Sequence, residues 1–143
     1  MMLGPALKHL DSHSSIHDAA IGEAEQLTEL LRICLERNEL DKAYETACIT
    51  LEHWETRTLA HADSEEHEEG LYNAILEARP DFADKVMSLI RDHDLMRRLA
   101  ADIRKSLAEQ EADYSVLRKF EAMIHIDLIH NHDEEAIVAQ LGG

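Results

Sequence analysis

Apolar residues recur at three- and four-residue intervals along almost the whole chain, the period of about 3.6 residues expected of helices that each bury one face. Leu10, Ile16, Ala20, Leu27, Leu31 and Cys34 trace a first stripe, which predicts a helix from about Pro5 to Arg37, with the proline suited to a first helical turn. Asn38 and Asp41 then supply turn and N-cap chemistry. A second stripe runs through Ala43, Ala47, Leu51, Trp54, Thr58, His61, Glu65 and Tyr72, predicting one long helix that ends near Leu76. Arg79-Pro80-Asp81 is the clearest break, because the residue before a proline avoids helical geometry while the proline itself can open the next helix. The third stripe is Phe82, Val86, Leu89, Ile90, His93, Met96, Leu99, Ala100, Ile103 and Leu107. Asp113 is placed to cap a fourth helix with Val116, Phe120, Met123, Asp127, His130, Glu134, Ile137 or Val138, and Leu141 inward. Four helices joined by short loops predict an all-α fold, an up-down-up-down antiparallel four-helix bundle occupying residues 1–143 as one domain.

Composition agrees and narrows the function. With 45% apolar and 31% charged residues the chain is globular in character, and two prolines and five glycines leave few breakers. The 14 basic and 30 acidic residues give a formal charge of −16, whose field repels phosphate backbones and anionic lipid, so neither nucleic acid nor a membrane is an expected partner. No apolar run approaches the roughly 20 residues of a bilayer span, and the start lacks a basic region followed by an apolar one, so a soluble, cytoplasmic protein is expected. Cys34 and Cys48 fall within helical apolar patterns and read as small reduced core residues.

The chemistry lies where polar residues interrupt the stripes. His61 with Glu65, and His130 with Glu134, repeat His-x-x-x-Glu in the two halves of the chain, so each imidazole and carboxylate share a helix face about 6 Å apart along the axis. Apolar residues continue on both sides of each pair, and burying unpaired polar groups costs several kcal/mol, so something must compensate. Each half also has a solitary histidine on its preceding helix, His13 and His93. The spacing from His13 to Leu27 equals that from His93 to Leu107, which selects His13 as the counterpart of His93, with His17 one turn later as the alternative. His13, His61, Glu65, His93, His130 and Glu134 thus form a candidate metal-ligand set suited to a pair of first-row ions, with terminal imidazoles and bridging carboxylates. Thiolates are missing from it, which argues against a closed structural zinc site.

Other residues carry open readings. Asp127 could accept a hydrogen bond from a ligand imidazole, complete the metal shell, or pair with Arg97 or Arg98 at the surface. Glu66 and Glu135 are expected to be exposed or to line a mouth, Tyr72 and Trp54 to pack, and Met87, Met96 and Met123 to form core and pocket wall. His53, His67, His125 and His132 lie off the main stripes or at their edges.

The runs His61-Ala-Asp-Ser-Glu65-Glu66 and His130-Asn-His-Asp-Glu134-Glu135, with His13 and His93 before them, resemble the signatures of the hemerythrin-like, HHE cation-binding family over nearly the whole chain. The resemblance implies a four-helix bundle around a non-haem centre of two iron ions that binds dioxygen or a related small molecule such as peroxide or nitric oxide. Arg97 stands where the family's oxygen carriers have a second histidine on the third helix, which implies a more open and reactive centre than a simple store. Two other functions compete: a di-iron enzyme reducing peroxide or nitric oxide with a separate reductase, and a zinc-binding or metal-free acidic interaction module.

Overall fold

In the computed structural model the backbone is described for residues 10–142 and the side chains for residues 16–142. The described residues are helical throughout, with no strand. Helix α1 spans Leu10–Glu36. Its end is a paired-bond cap: Asn38 adopts φ 56°, Glu39 N–H donates to Cys34 O at 2.9 Å and Asn38 N–H to Leu35 O at 3.1 Å. Asparagine tolerates this left-handed conformation, and the two bonds satisfy carbonyls that the helix leaves open. Helix α2, Leu40–His53, is flanked by Glu39 without a side-chain cap, so Asp41 is not the N-cap expected of it; it lies in the first turn, where a negative charge suits the helix dipole.

The predicted second helix is not continuous. A π-helical stretch, Trp54–Leu59, follows α2 and leads into α3, Ala60–Glu66. The chain then leaves helical geometry at His67 (φ −65°, ψ 155°) and restarts as α4, Leu71–Ala78. Glu65, Glu66, Glu68 and Glu69 crowd like charges at the negative end of the helix dipole, which disfavours its continuation. Gly70 closes the break against the end of α3: a Cβ there would stand 2.1 Å from Ser64 O and 2.7 Å from Glu65 O. The Pro80 break forms as expected, with a 3-10 turn at Pro80–Phe82. Helix α5 runs over Ala83–Ala108 and α6 over Tyr114–Leu141, the latter capped by the Asp113 carboxylate accepting from Val116 N–H at 3.2 Å.

Helix α1 packs against α2 and α6, and α5 against α6 and α2, an arrangement compatible with a four-helix bundle. The stripes of α5 and α6 are buried largely as their spacing indicates. On α1 the inward residues are Ile21, Ala24, Thr28, Leu31, Cys34 and Leu35, whereas Ile16 is 53% exposed and so leaves the stripe assigned to it. Met87 is likewise a surface residue, 67% exposed, while Met96 and Met123 are fully buried. His53 departs from its edge placement: it is buried and its Nε2 stands 2.8 Å from Ala20 O, so it ties α2 to α1.

The apolar interior comes in two parts. The larger, containing Leu31, Trp54, Met96, Ile103, Phe120 and Met123, joins α1, α2, α5 and α6. The smaller, containing Leu71, Ile75, Phe82, Leu89 and Ile137, sits under α4 and the 3-10 turn. Along α5 His93 falls between Leu89 and Met96, and along α6 Asp127, His130 and Glu134 fall between Met123 and Ile137. A polar layer therefore separates two oily ones. Among the described residues no helix is long and apolar enough to cross a membrane.

Candidate metal centre

The polar layer is built by α1, α3, α5 and α6. Helix α3 supplies Glu65, α5 supplies His93, and α6 supplies His130 and Glu134; all four side chains are buried, and one donor atom from each lies within 4.8 Å of every other. His93 Nε2 is 3.4 Å from Glu65 Oε1 and 3.1 Å from His130 Nε2, which is in turn 3.2 Å from Glu134 Oε2. A second group joins His17 and His61 to Glu65. His61 Nε2 lies 3.9 Å from Glu65 Oε2, His17 Nε2 lies 4.0 Å from Glu134 Oε1, and the two rings meet edge to face at 5.0 Å. Each glutamate thus turns one oxygen toward His93 and His130 and the other toward His17 and His61.

Among the described residues α1 brings His17, the alternative in the spacing argument, to this cluster; the His13 side chain lies outside the described residues. His61, Glu65, His93, His130 and Glu134 come together.

A carboxylate stands behind each of the two most buried imidazoles. His93 Nδ1–H donates to Glu66 Oε2 at 2.8 Å and His130 Nδ1–H to Asp92 Oδ2 at 3.0 Å. Such partners fix ring orientation and tautomer, leaving Nε2 as the lone-pair atom of the neutral ring. Glu66 is therefore no solvated bystander; Arg97 clamps it at 2.6 Å while also bonding Asp63 at 2.8 Å and Asp94 at 3.0 Å. Those contacts also remove the Asp127–Arg97 surface pair from consideration, since Asp127 is buried at the centre.

Neutral imidazoles so oriented aim two lone pairs at each other across 3.1 Å, with carboxylate oxygens beside them. This repels unless a positive charge enters. A proton is one solution: burial by itself would lower the His130 pKa, but the Glu134 carboxylate and Asp92 hold it up at about 9. A metal cation is the other, and the donor set, neutral nitrogens with anionic oxygens and no sulfur, fits one. The buried His/Glu cluster could hold a metal ion.

Tyr72, expected only to pack, is also in the layer. Its hydroxyl donates to Glu134 Oε2 at 2.8 Å, and burial together with Glu134 and Glu65 pushes its pKa far upward. Spacing puts Tyr72 on the inward stripe but reveals neither its contact nor that of Asp92, because their partners lie on other helices, 62 and 38 positions away. Two weak clues stand in the sequence: Asp92 adjoins His93, and Tyr72 ends an inward stripe.

A small cavity reaches this layer, lined by His17, His61, Glu65, His93, Asp127 and Asn131 among others, with room for about one water-sized molecule. Burial raises the Asp127 pKa to about 6. The Asn131 side-chain oxygen is buried without a hydrogen-bond partner.

No protein-family model, curated protein or solved structure matches this chain.

Proposed function

We propose that this chain is a hemerythrin-like, up-down-up-down bundle whose His/Glu layer holds two iron ions and binds or senses dioxygen, nitric oxide or peroxide. The observation that carries the reading is the division of each inward glutamate between two imidazole pairs. Glu65 offers Oε1 toward His93 and Oε2 toward His61; Glu134 offers Oε2 toward His130 and Oε1 toward His17. That layout would suit two ions joined by two carboxylates, with His93 and His130 holding one and His17 and His61 the other. Nitrogen and oxygen donors without thiolate suit iron, and a ferrous pair supplies electrons to a diatomic ligand.

The chain's own residues define the rest. The cavity admits a molecule no larger than a few atoms, so an organic substrate does not fit beside the cluster. Met96, Met123 and Leu89, all fully buried, keep bulk water from both faces of the layer. Glu66 and Asp92 hold the His93 and His130 rings with Nε2 inward.

The test is metal analysis of the protein purified without a histidine tag, followed by visible spectra of the ferrous form before and after air. Two irons per chain and a spectrum that changes with air support the reading; zinc alone, or no metal, sinks it. An enzymatic reading is favoured by one observation: Asp127 is buried at the cavity wall, which places a carboxyl beside the cluster where reduction of peroxide or nitric oxide consumes protons. Peroxide consumption with an added electron donor, diminished in Asp127→Asn at unchanged iron content, identifies that activity.

A further inference from the structure

Tyr72 reaches the cluster only because the second limb of the fold breaks. Gly70 sits against the Ser64 and Glu65 carbonyls, so α4 starts against the end of α3 and buries Tyr72, the second residue of its first turn. The ring of Tyr72 stacks on His93, centroids 5.6 Å apart with 16° between planes. Its oxygen stands 2.8 Å from Glu134 Oε2, 3.2 Å from His93 Nε2 and 3.4 Å from His130 Nε2.

These separations match those among the other donors: 3.1 Å for His93–His130, 3.2 Å for His130–Glu134 and 3.4 Å for His93–Glu65. Donors held about 2.0–2.2 Å from one first-row ion, at octahedral to tetrahedral angles, are about 2.8–3.6 Å apart. All six of these separations fall in that window. A phenol that merely propped Glu134 would need the 2.8 Å bond and nothing more. Here its oxygen also faces both Nε2 atoms, the same direction from which those atoms would meet a cation.

We propose that Tyr72 is a direct ligand, through its phenol oxygen, of the ion held by His93, His130, Glu65 and Glu134. The inference rests on the metal-centre reading above. On ligation the phenol proton leaves to bulk water, as protons do when a metal displaces them from its donors. A phenolate adds a third anionic oxygen to the centre, which favours ferric over ferrous iron and tells against a freely reversible gas carrier.

Ferric iron added to the metal-free protein provides the probe. Expected are a phenolate-to-iron absorption band in the visible and resonance-enhanced phenolate ring vibrations, both lost in Tyr72→Phe while iron content and helicity persist. The other two tyrosines are elsewhere: Tyr44 donates to Leu107 O at 2.9 Å, and Tyr114 is exposed. The double variant Tyr44→Phe/Tyr114→Phe, which retains Tyr72 alone, therefore keeps the band, and it decides the matter even where Tyr72→Phe fails to fold. Iron bound without the band, or a band that survives in Tyr72→Phe or vanishes in the double variant, overturns Tyr72 as ligand and leaves the iron reading standing. Failure to bind iron at all overturns both.

Discussion

At the scale of single residues, the two inward glutamates and the two carboxylates behind the imidazoles do different work. Glu65 and Glu134 each face two histidines, so Glu65→Ala or Glu134→Ala should abolish metal binding in elemental analysis. Glu66 touches only the far nitrogen of His93 and the guanidinium of Arg97, so Glu66→Gln should weaken metal binding by roughly 10–100-fold in a competition titration, without ending it. Glu135, exposed on α6, should tolerate alanine with no change.

Two other residues of the layer, His130 and Asp127, link folding to protons when no metal is present. His130 is raised to about 9 in the fold, so its contribution is complete below its ordinary value of 6.5 and lost as pH rises through 9. Asp127 is raised to about 6, so the fold prefers it protonated, and that preference also fades as pH rises from its ordinary value of 3.8 through 6. Both act in one direction. Urea melts of metal-free protein should show stability falling from pH 5 to pH 9 by a few kcal/mol at most, and His130→Gln should flatten the upper half of that fall. Metal binding should show the opposite slope, strengthening with pH, because the proton on His130 must leave.

At the scale of elements, Gly70 and Gln110 mark positions where backbone geometry is decisive. Gly70→Ala would drive a Cβ into two carbonyl oxygens at the end of α3, and backbone gives way less readily than a side chain. A loss of at least about 1–3 kcal/mol in thermal or denaturant melts is expected, with weakened metal binding because Glu65 and Tyr72 flank the contact. Gln110 ends α5 at φ 58°, with Glu111 N–H to Ser106 O and Gln110 N–H to Leu107 O both at 2.9 Å. This is the cap seen at Asn38, but with a residue that dislikes it, so Gln110→Gly should raise stability by about 1 kcal/mol.

These elements also show what could be read from the chain. Helices α5 and α6 were legible almost residue by residue, since an unbroken helical period needs no knowledge of its neighbours. The second limb was not. Its π-helical stretch shifts the phase without a proline or glycine to announce it, and its break at His67–Gly70 is settled by a backbone contact between segments already folded. The paired His-x-x-x-Glu residues were visible because both members share one helix face. His17 does not follow from equal spacing on two helices, which says nothing of how far each slides along the bundle, and the role of Tyr72 is hidden because its neighbours are far away in sequence.

At the scale of the whole molecule, a formal charge of −16 surrounds a centre that gathers anions inward. Self-repulsion of this kind weakens the compact state, so added salt should raise the melting temperature of metal-free protein, and a bound divalent or trivalent ion should raise it further in proportion to the logarithm of its concentration over Kd. Addition of a chelator during a calorimetric scan should reverse the second effect and leave the first.

The interruption of the oily interior by a polar layer has a mechanical meaning. The eight buried residues at this end, contributed by α4, the 3-10 turn, α5 and α6, form a small end cap, and Tyr72 of α4 ties it to Glu134 in the polar layer. Were a cation gripped there, loading and latching would become one event, with the cap a door and the ion its bolt. Amide exchange in α4 should be fast in the stripped protein and slow once it is filled, while α5 near Ile103 changes little; equal protection of α4 in both forms would show that the door has another hinge.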